Sequence, residues 1–302
     1  MQIGVVDSDA AIIGRSRKKT QALDGKAKVI DRLVDGVNAA CEQAGITVKQ
    51  LGGLGIGAPG AIDPGRGVVV EAVNLRWNDV PLAEILKTRL GIPVVVNNDV
   101  NVAVYGEWKM GTGKGVSELL GIWIGTGIGG GLILNNRLYE GAFFTAGEIG
   151  HTILYPGAPK GSRSLEENCS RTAVADRLAK LIKANHPSSL AETVLGGHTI
   201  KSKLIAEAYA TGDPLTRDVV DEVARLIGVA AANVVTLLSL PRVMLGGGLT
   251  EAIGKPFVAE VKKSFKEHVF PDRCRQAEIV ASQLEDDAGV LGAALLAREK
   301  LA

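Results

Sequence analysis

The chain has 302 residues, 46% of them hydrophobic and 22% charged, and a formal net charge of +1 at pH 7. That length and balance suit a folded chain with room for a sizeable core. The near-neutral charge gives no electrostatic case for nucleic acid or an anionic membrane surface, and 4% aromatics are too few for a base-stacking platform.

Cys41, Cys169 and Cys274 lie far apart with no C-x-x-C pair, which argues against a disulfide framework or a zinc knuckle and fits a reducing cytoplasm. No apolar run approaches the roughly 18 residues of a membrane span. The opening Met1-Gln2-Ile3-Gly4 is not a basic-then-apolar leader. The expectation is a soluble, cytoplasmic protein. The unusual count is 38 glycines, clustered after apolar runs, where backbone turns sharply or approaches a ligand.

In chain order, residues 3–6 and 11–14 read as two strands joined by the turn Asp7-Ser8-Asp9-Ala10. Residues 28–44 place Ile30, Leu33, Val34, Val37 and Cys41 at helical spacing, and Gly45 stops them. A short strand over 52–57 runs into Ala58-Pro59-Gly60, a turn that cannot continue a sheet. Asn74 and Trp77 read as loop, and residues 82–90 as a helix closed by Gly91.

Val94-Val95-Val96 then delivers Asn97, Asn98 and Asp99 at the end of a buried strand. A second apolar strand, 119–124, ends in a loop over 125–131 with five glycines, and Glu148 and His151 follow in Ala-Gly-Glu-Ile-Gly-His. Beyond a Pro/Gly/Ser-rich loop (155–164), residues 165–183 read as helix, 184–200 as broken, and 219–238 as the strongest helical pattern. A strand at 242–245 enters Gly246-Gly247-Gly248. A helix (253–269), a strand (278–282) and a helix (288–300) complete the alternation, which is α/β, with no visible repeat or linker.

Three groups bear chemistry. Asp99, beside Asn98 and Asn101, can take a proton from a substrate hydroxyl; local pattern alone favours an N-cap for a helix over the following residues. The glycines at 125–131, with Thr126, can turn backbone N–H groups toward phosphate oxygens, or form a tight hairpin between Ile124 and Leu132. No lysine stands where a G-x-x-x-x-G-K-[ST] loop needs one. Gly246, Gly247 and Gly248 form a second such loop, and two in one α/β chain favour a nucleotide. Glu148 and His151 can hold sugar hydroxyls, although a lone loop histidine is more often structural. Metal ligation would need further partners, and His186, His198 and His268 stand in unrelated contexts.

Taken in order, GIGAPGAID, NLRW, VNNDVN, IGTGIGGG, AGEIGH and VMLGGGL resemble the ROK family of ATP-dependent sugar kinases and sugar-responsive repressors. The resemblance covers nearly the whole chain. It implies the actin-like ATPase/hexokinase (ribonuclease H-like) fold, two lobes with a cleft: a small lobe of residues 1–108 plus 285–302 and a large lobe of 109–284. It implies Asp99 as the base that activates a hexose hydroxyl, usually O6, for attack on the γ-phosphate of ATP with Mg²⁺. Gly60, Asn74, Asn98, Glu148, His151 and Glu166 are implied as sugar ligands. Gly125, Thr126, Gly127 and Gly129 are implied for the phosphates, and Gly246, Gly247 and Gly248 for the nucleoside. Glucose is the first substrate to expect, and a homodimer the usual assembly.

The sequence departs from the pattern twice. The family's opening strand with an Asp-x-Gly-Gly-Thr phosphate loop has no match here, and residues 3–20 correspond to the strand pair after it. The expectation is a start read late or an impaired grip on ATP. The family's C-x-C-G-x-x-G-C zinc segment is also replaced, by Gly157-Ala158-Pro159-Lys160-Gly161-Ser162-Arg163-Ser164, so no zinc is expected. The competing class is a sugar-binding or regulatory protein without turnover. Dehydrogenase chemistry is disfavoured, because no G-x-G-x-x-G unit with an acid about 20 residues on is present.

Overall fold

A computed structural model describes residues 1–302. The chain divides into two compact units, Met1–Lys114 with Glu140–Ala146 and Asp286–Ala302, and Gly115–Tyr139 with Gly147–Glu285.

The first unit opens with an antiparallel hairpin of β1 (Gln2–Val6) and β2 (Ile12–Arg17). Helix α1 (Lys26–Gln43) packs on both strands, with Val37, Ala40 and Cys41 clustered about Val5, while its Val29 and Ile30 join a second cluster with Val69, Trp77 and Leu86. Strand β3 (Leu54–Ala58) leads into a three-stranded antiparallel sheet of β4 (Ala61–Asp63), β5 (Val68–Ala72) and β6 (Trp77–Val80). Helix α2 (Leu82–Leu90) ends at Gly91, whose φ of 72° makes the left-handed cap that glycine favours. Strand β7 (Val94–Asn98) pairs parallel to β3 and passes directly into α3 (Asp99–Met110).

The second unit is built on β8 (Leu119–Ile124), β9 (Ile128–Leu134) and β10 (Arg137–Tyr139). Helices α4 (Leu165–Cys169), α5 (Arg171–Lys183), α6 (Ala191–Leu195), α7 (Ser202–Ala210) and α8 (Pro214–Leu238) follow. Strand β11 (Arg242–Gly246), α9 (Gly248–Ile253), α10 (Lys255–His268) and β12 (Glu278–Ala281) complete it. The sheet order is β10-β9-β8-β11-β12, with β8, β11 and β12 parallel and the β9 and β10 pairings antiparallel. Its core runs from Ile122 and Ile124 through Leu165 and Leu178 to Val223, Ile227, Phe257 and Phe265.

Helix α11 (Asp287–Leu301) returns to the first unit and crosses α3 at two glycines. A β-carbon on Gly106 would meet the backbone of Ala288 and Gly292, and one on Gly292 the Val102 carbonyl, so only glycine permits this approach. In the first unit the antiparallel pair β1-β2 and the parallel pair β3-β7 form two separate two-stranded sheets.

Four sequence expectations change. Trp77 is the first residue of β6, not loop; it pairs with Ala72 and buries its ring. Residues 125–131 are not one loop, because Gly129, Gly130 and Gly131 pair with β8 inside β9, leaving 125–127 as the turn. The 165–183 helix breaks at Ser170, whose side chain accepts from the Ala173 N–H as the N-cap of α5. The 253–269 helix begins two residues later, at Lys255, because Gly254, with a φ of 72°, separates it from the short helix α9. No helix is long and apolar enough to cross a membrane.

Candidate functional site

In the first unit, the end of β7 is a strand-to-helix corner held by asparagine. Asn98 is the N-cap of α3, and its Oδ1 accepts from the N–H groups of Val100 (2.8 Å) and Asn101 (3.1 Å). Its Nδ2 donates to the Gly60 carbonyl at 3.0 Å. That contact follows from the β3–β7 register, which sets Ala58 opposite Asn98 and carries the Pro59-Gly60 turn alongside. Gly60 has a φ of 93°, and a β-carbon there would strike the Glu71 carbonyl, so the turn requires glycine. Asn74 is exposed in the 3₁₀ turn Val73–Leu75 that follows β5, the strand Gly60 abuts.

Asp99 is the first residue of α3. Since Asn98 performs the capping, the N-cap role weighed for Asp99 falls to its neighbour. One Asp99 oxygen accepts from the Val100 N–H at 2.9 Å. Partial dehydration raises the carboxyl above its ordinary range, and that hydrogen bond only partly offsets it. The residue still presents surface to solvent, so it is a crowded but reachable acid.

In the second unit, glycines bring the Ala-Gly-Glu-Ile-Gly-His segment down onto β9. A β-carbon on Gly130 would strike the Gly147 carbonyl, and one on Gly150 the Ile128 carbonyl. The β9 glycines thus serve a close backbone crossing, which sets Glu148 and His151 at the 3₁₀ turn Ile149–His151. His151 Nε2 lies 3.9 Å from Glu148 Oε2, with the imidazole mostly in solvent. A bridge between Ile153 and Ser164 returns the chain to α4, where Ser164 and Glu167 form a capping box.

Glu166, on α4, accepts from the Ile128 N–H at 2.7 Å and fixes the foot of the 125–127 turn. Arg171 pins the other side: its N–H donates to the Gly125 carbonyl (3.0 Å), its Nη2 to Thr126 Oγ1 (3.1 Å), and Thr172 Oγ1 donates to the Thr126 carbonyl (2.8 Å). Gly125 N–H donates to the Gly127 carbonyl. The N–H groups of Thr126 and Gly127 remain for an outside acceptor. Gly247, with a φ of 87°, joins β11 to α9 and lies against Ile124 of β8, so both glycine turns sit at neighbouring strand ends. The sequence reading found this turn but not Arg171 and Thr172, which only the fold brings to it.

No group of three or more His, Cys, Asp or Glu side chains is placed to hold a metal ion. Cys169 is fully buried, and burial, reinforced by Glu222, pushes its thiol up to about 12.

The ROK family profile matches residues 1–300. The chain belongs to the ROK family. It is 35% identical to a glucokinase of Streptomyces coelicolor over 98% of this chain and 93% of that protein. A ROK glucokinase from Streptomyces griseus, solved in complex with glucose and AMPPNP, superposes with a TM-score of 0.83 at 33% identity, covering 98% of this chain and 95% of that one. A xylose repressor of Caldicellulosiruptor bescii is 30% identical over 89% of this chain and 68% of that protein. The ROK chain has the actin-like ATPase/hexokinase fold. Sugar phosphorylation is an activity of this family, which also contains repressors.

Proposed function

We propose that the chain transfers the γ-phosphoryl group of ATP to a hexose hydroxyl, O6 of glucose first, with Asp99 as general base. The observation that carries this is the corner at the end of β7: Asn98 caps α3, which leaves the partly dehydrated Asp99 carboxylate with one hydrogen bond, from the Val100 N–H, and a face open to solvent. Asp99 takes the hydroxyl proton as the sugar oxygen bonds to the γ-phosphorus, and the bond to the bridging oxygen breaks to release ADP. Phosphoryl transfer asks mainly for positioning and charge stabilisation.

Gly60, Asn74 and Asn98 are proposed sugar contacts in the first unit, and Glu148, His151 and Glu166 in the second. The free N–H groups of Thr126 and Gly127 suit phosphate oxygens, and the turn at Gly246, Gly247 and Gly248 the nucleoside. Mg²⁺ usually keeps several waters and takes one or two carboxylates beside the phosphates. No group of three or more His, Cys, Asp or Glu side chains forms a cage for it here, so the phosphates and water would supply most of its ligands. The ion neutralises phosphate charge. A structural zinc is not part of this reading, since the segment 157–164 carries no cysteine. A cytoplasmic homodimer completes the proposal, and sedimentation equilibrium tests the dimer.

ADP release across a panel of hexoses tests the activity, with Asp99→Asn as the decisive variant. A general base contributes about 10²–10⁴-fold, so that variant loses turnover by that order while calorimetry shows sugar still bound. Near-parental turnover in Asp99→Asn removes the base assignment. The second reading, a sugar-responsive regulator, is favoured by the repressor relative. Sugar binding without ADP release across the whole panel would support the regulator and overturn the kinase.

A further inference from the structure

Behind the corner that carries Asp99 lies a buried polar chain that the proposed reaction does not explain. Asn97, the penultimate residue of β7, is 2% exposed, and Asn101, one turn into α3, is 5% exposed. Buried amides are ordinarily hydrogen-bonded; here Asn97 is paired on both sides, while Asn101 Oδ1 has no partner. Asn97 Nδ2 donates to Glu140 Oε1 at 2.7 Å, and Lys300 Nζ, on α11, reaches the same oxygen at 3.1 Å. Asn97 Oδ1 accepts from the Asn98 N–H (2.8 Å) and from Asn101 Nδ2 (3.2 Å).

The order of these contacts matters. A carboxylate only accepts, so Glu140 forces Asn97 to turn its NH₂ outward and its carbonyl oxygen toward the Asn98 N–H. The contact is charge-assisted and therefore among the stronger hydrogen bonds. Asn98, held at its backbone, then caps Val100 and Asn101. Glu140 stands 43 residues from Asn97 in sequence. A salt bridge to solvent would need no buried amide between the two.

We propose that Glu140 is a positioning residue for Asp99, acting through the orientation it imposes on Asn97 and hence on the Asn98 cap. The inference rests on Asp99 being the base. Glu140→Ala leaves the buried Asn97 NH₂ unpaired and lets the amide turn over. Glu140→Gln keeps an oxygen that accepts from Asn97.

The test uses the full chain, with steady-state kinetics and amide hydrogen exchange read together. A misplacement of about 1 Å can cost 10²-fold. Glu140→Ala is therefore expected to lower kcat by about 10–100-fold with the sugar KM nearly unchanged, and to speed exchange at Asn98, Val100 and Asn101. Glu140→Gln restores both readouts, and Lys300→Met leaves the Asn97 contact and the turnover in place. If Glu140→Ala does not fold, Glu140→Asp, one methylene short of Asn97, takes its place. The inference is overturned if exchange at the corner is unchanged, if Glu140→Gln is as impaired as the alanine variant, or if kcat stays at the parental value. Asp99→Asn, run in parallel, separates the readings. Full turnover there removes the base assignment and this inference with it, whereas a dead Asp99→Asn beside an unaffected Glu140→Ala removes the inference alone. In a parent chain without turnover, unchanged exchange in Glu140→Ala still overturns it.

Discussion

The backbone of Gly130 in β9 lies so close to that of Gly147 that a β-carbon on Gly147 would come within 2.7 Å of the Gly130 carbonyl oxygen. Gly147 also holds a φ of 90°, a conformation that costs an ordinary residue about 1–3 kcal/mol. Gly147→Ala is therefore expected to lower unfolding free energy by that order and to lift the Glu148 segment off the strand. Sugar affinity should fall while nucleotide affinity holds; denaturant titration and calorimetry with each ligand check both halves.

Asp99 links function to stability with a definite sign. Its folded-state carboxyl sits above the unfolded one, so the native state holds its proton more tightly and loses stability as pH rises through that raised value. Asp99→Asn removes the cost of a dehydrated charge. Its melting temperature should exceed the parent's at pH 7, and the gain should vanish well below the unfolded carboxyl range near about 3.9. In the parent, turnover should decline as pH is lowered through the raised value. A melting temperature that falls at pH 7 would contradict the dehydration argument.

Gly60→Ala tests the first unit's turn. The positive φ and the Glu71 carbonyl leave no room for a methyl, so a loss of about 1–3 kcal/mol is expected. The Asn98 Nδ2 contact to the Gly60 carbonyl should loosen with it, which sugar titration would register as weaker binding.

Glu166→Ala should release the Ile128 N–H, the foot of the 125–127 turn. Hydrogen exchange at Ile128 is expected to quicken while the neighbouring β8–β9 ladder stays protected. A buried donor left unpaired costs about 1–3 kcal/mol, and this one is only partly buried, so the lower end applies.

Much of the fold is legible in the sequence because its elements are locally encoded. Helix α2 spans Leu82–Leu90 as its spacing and Gly91 predict, while the α8 stripe read over Val223, Leu226, Ile227, Ala230, Val234, Leu237 and Leu238 is buried at its first four members and leaves Leu237 and Leu238 exposed at the helix end. The family follows from six short motifs in order. What stayed hidden depends on neighbours distant in sequence. Trp77 carries no local strand signal beyond its pairing with Ala72. The β9 glycines look like loop until the crossing at Gly147 explains them. Arg171 and Thr172 read as an ordinary helix start, 45 and 46 residues from the Thr126 they hold. Asn98 and Asp99 are adjacent polar residues of similar capping preference, and only hydrogen-bond geometry assigns one the cap.

The crossing of α3 and α11 at Gly106 and Gly292 has a consequence for how the protein is made. The first unit needs α11, yet residues 115–285 emerge from the ribosome before it. Domains fold as units, ordinarily in the order they are synthesised. Here the unit that begins first finishes last. Residues 1–114 must wait with the glycine face of α3 uncovered until translation of the second unit is over.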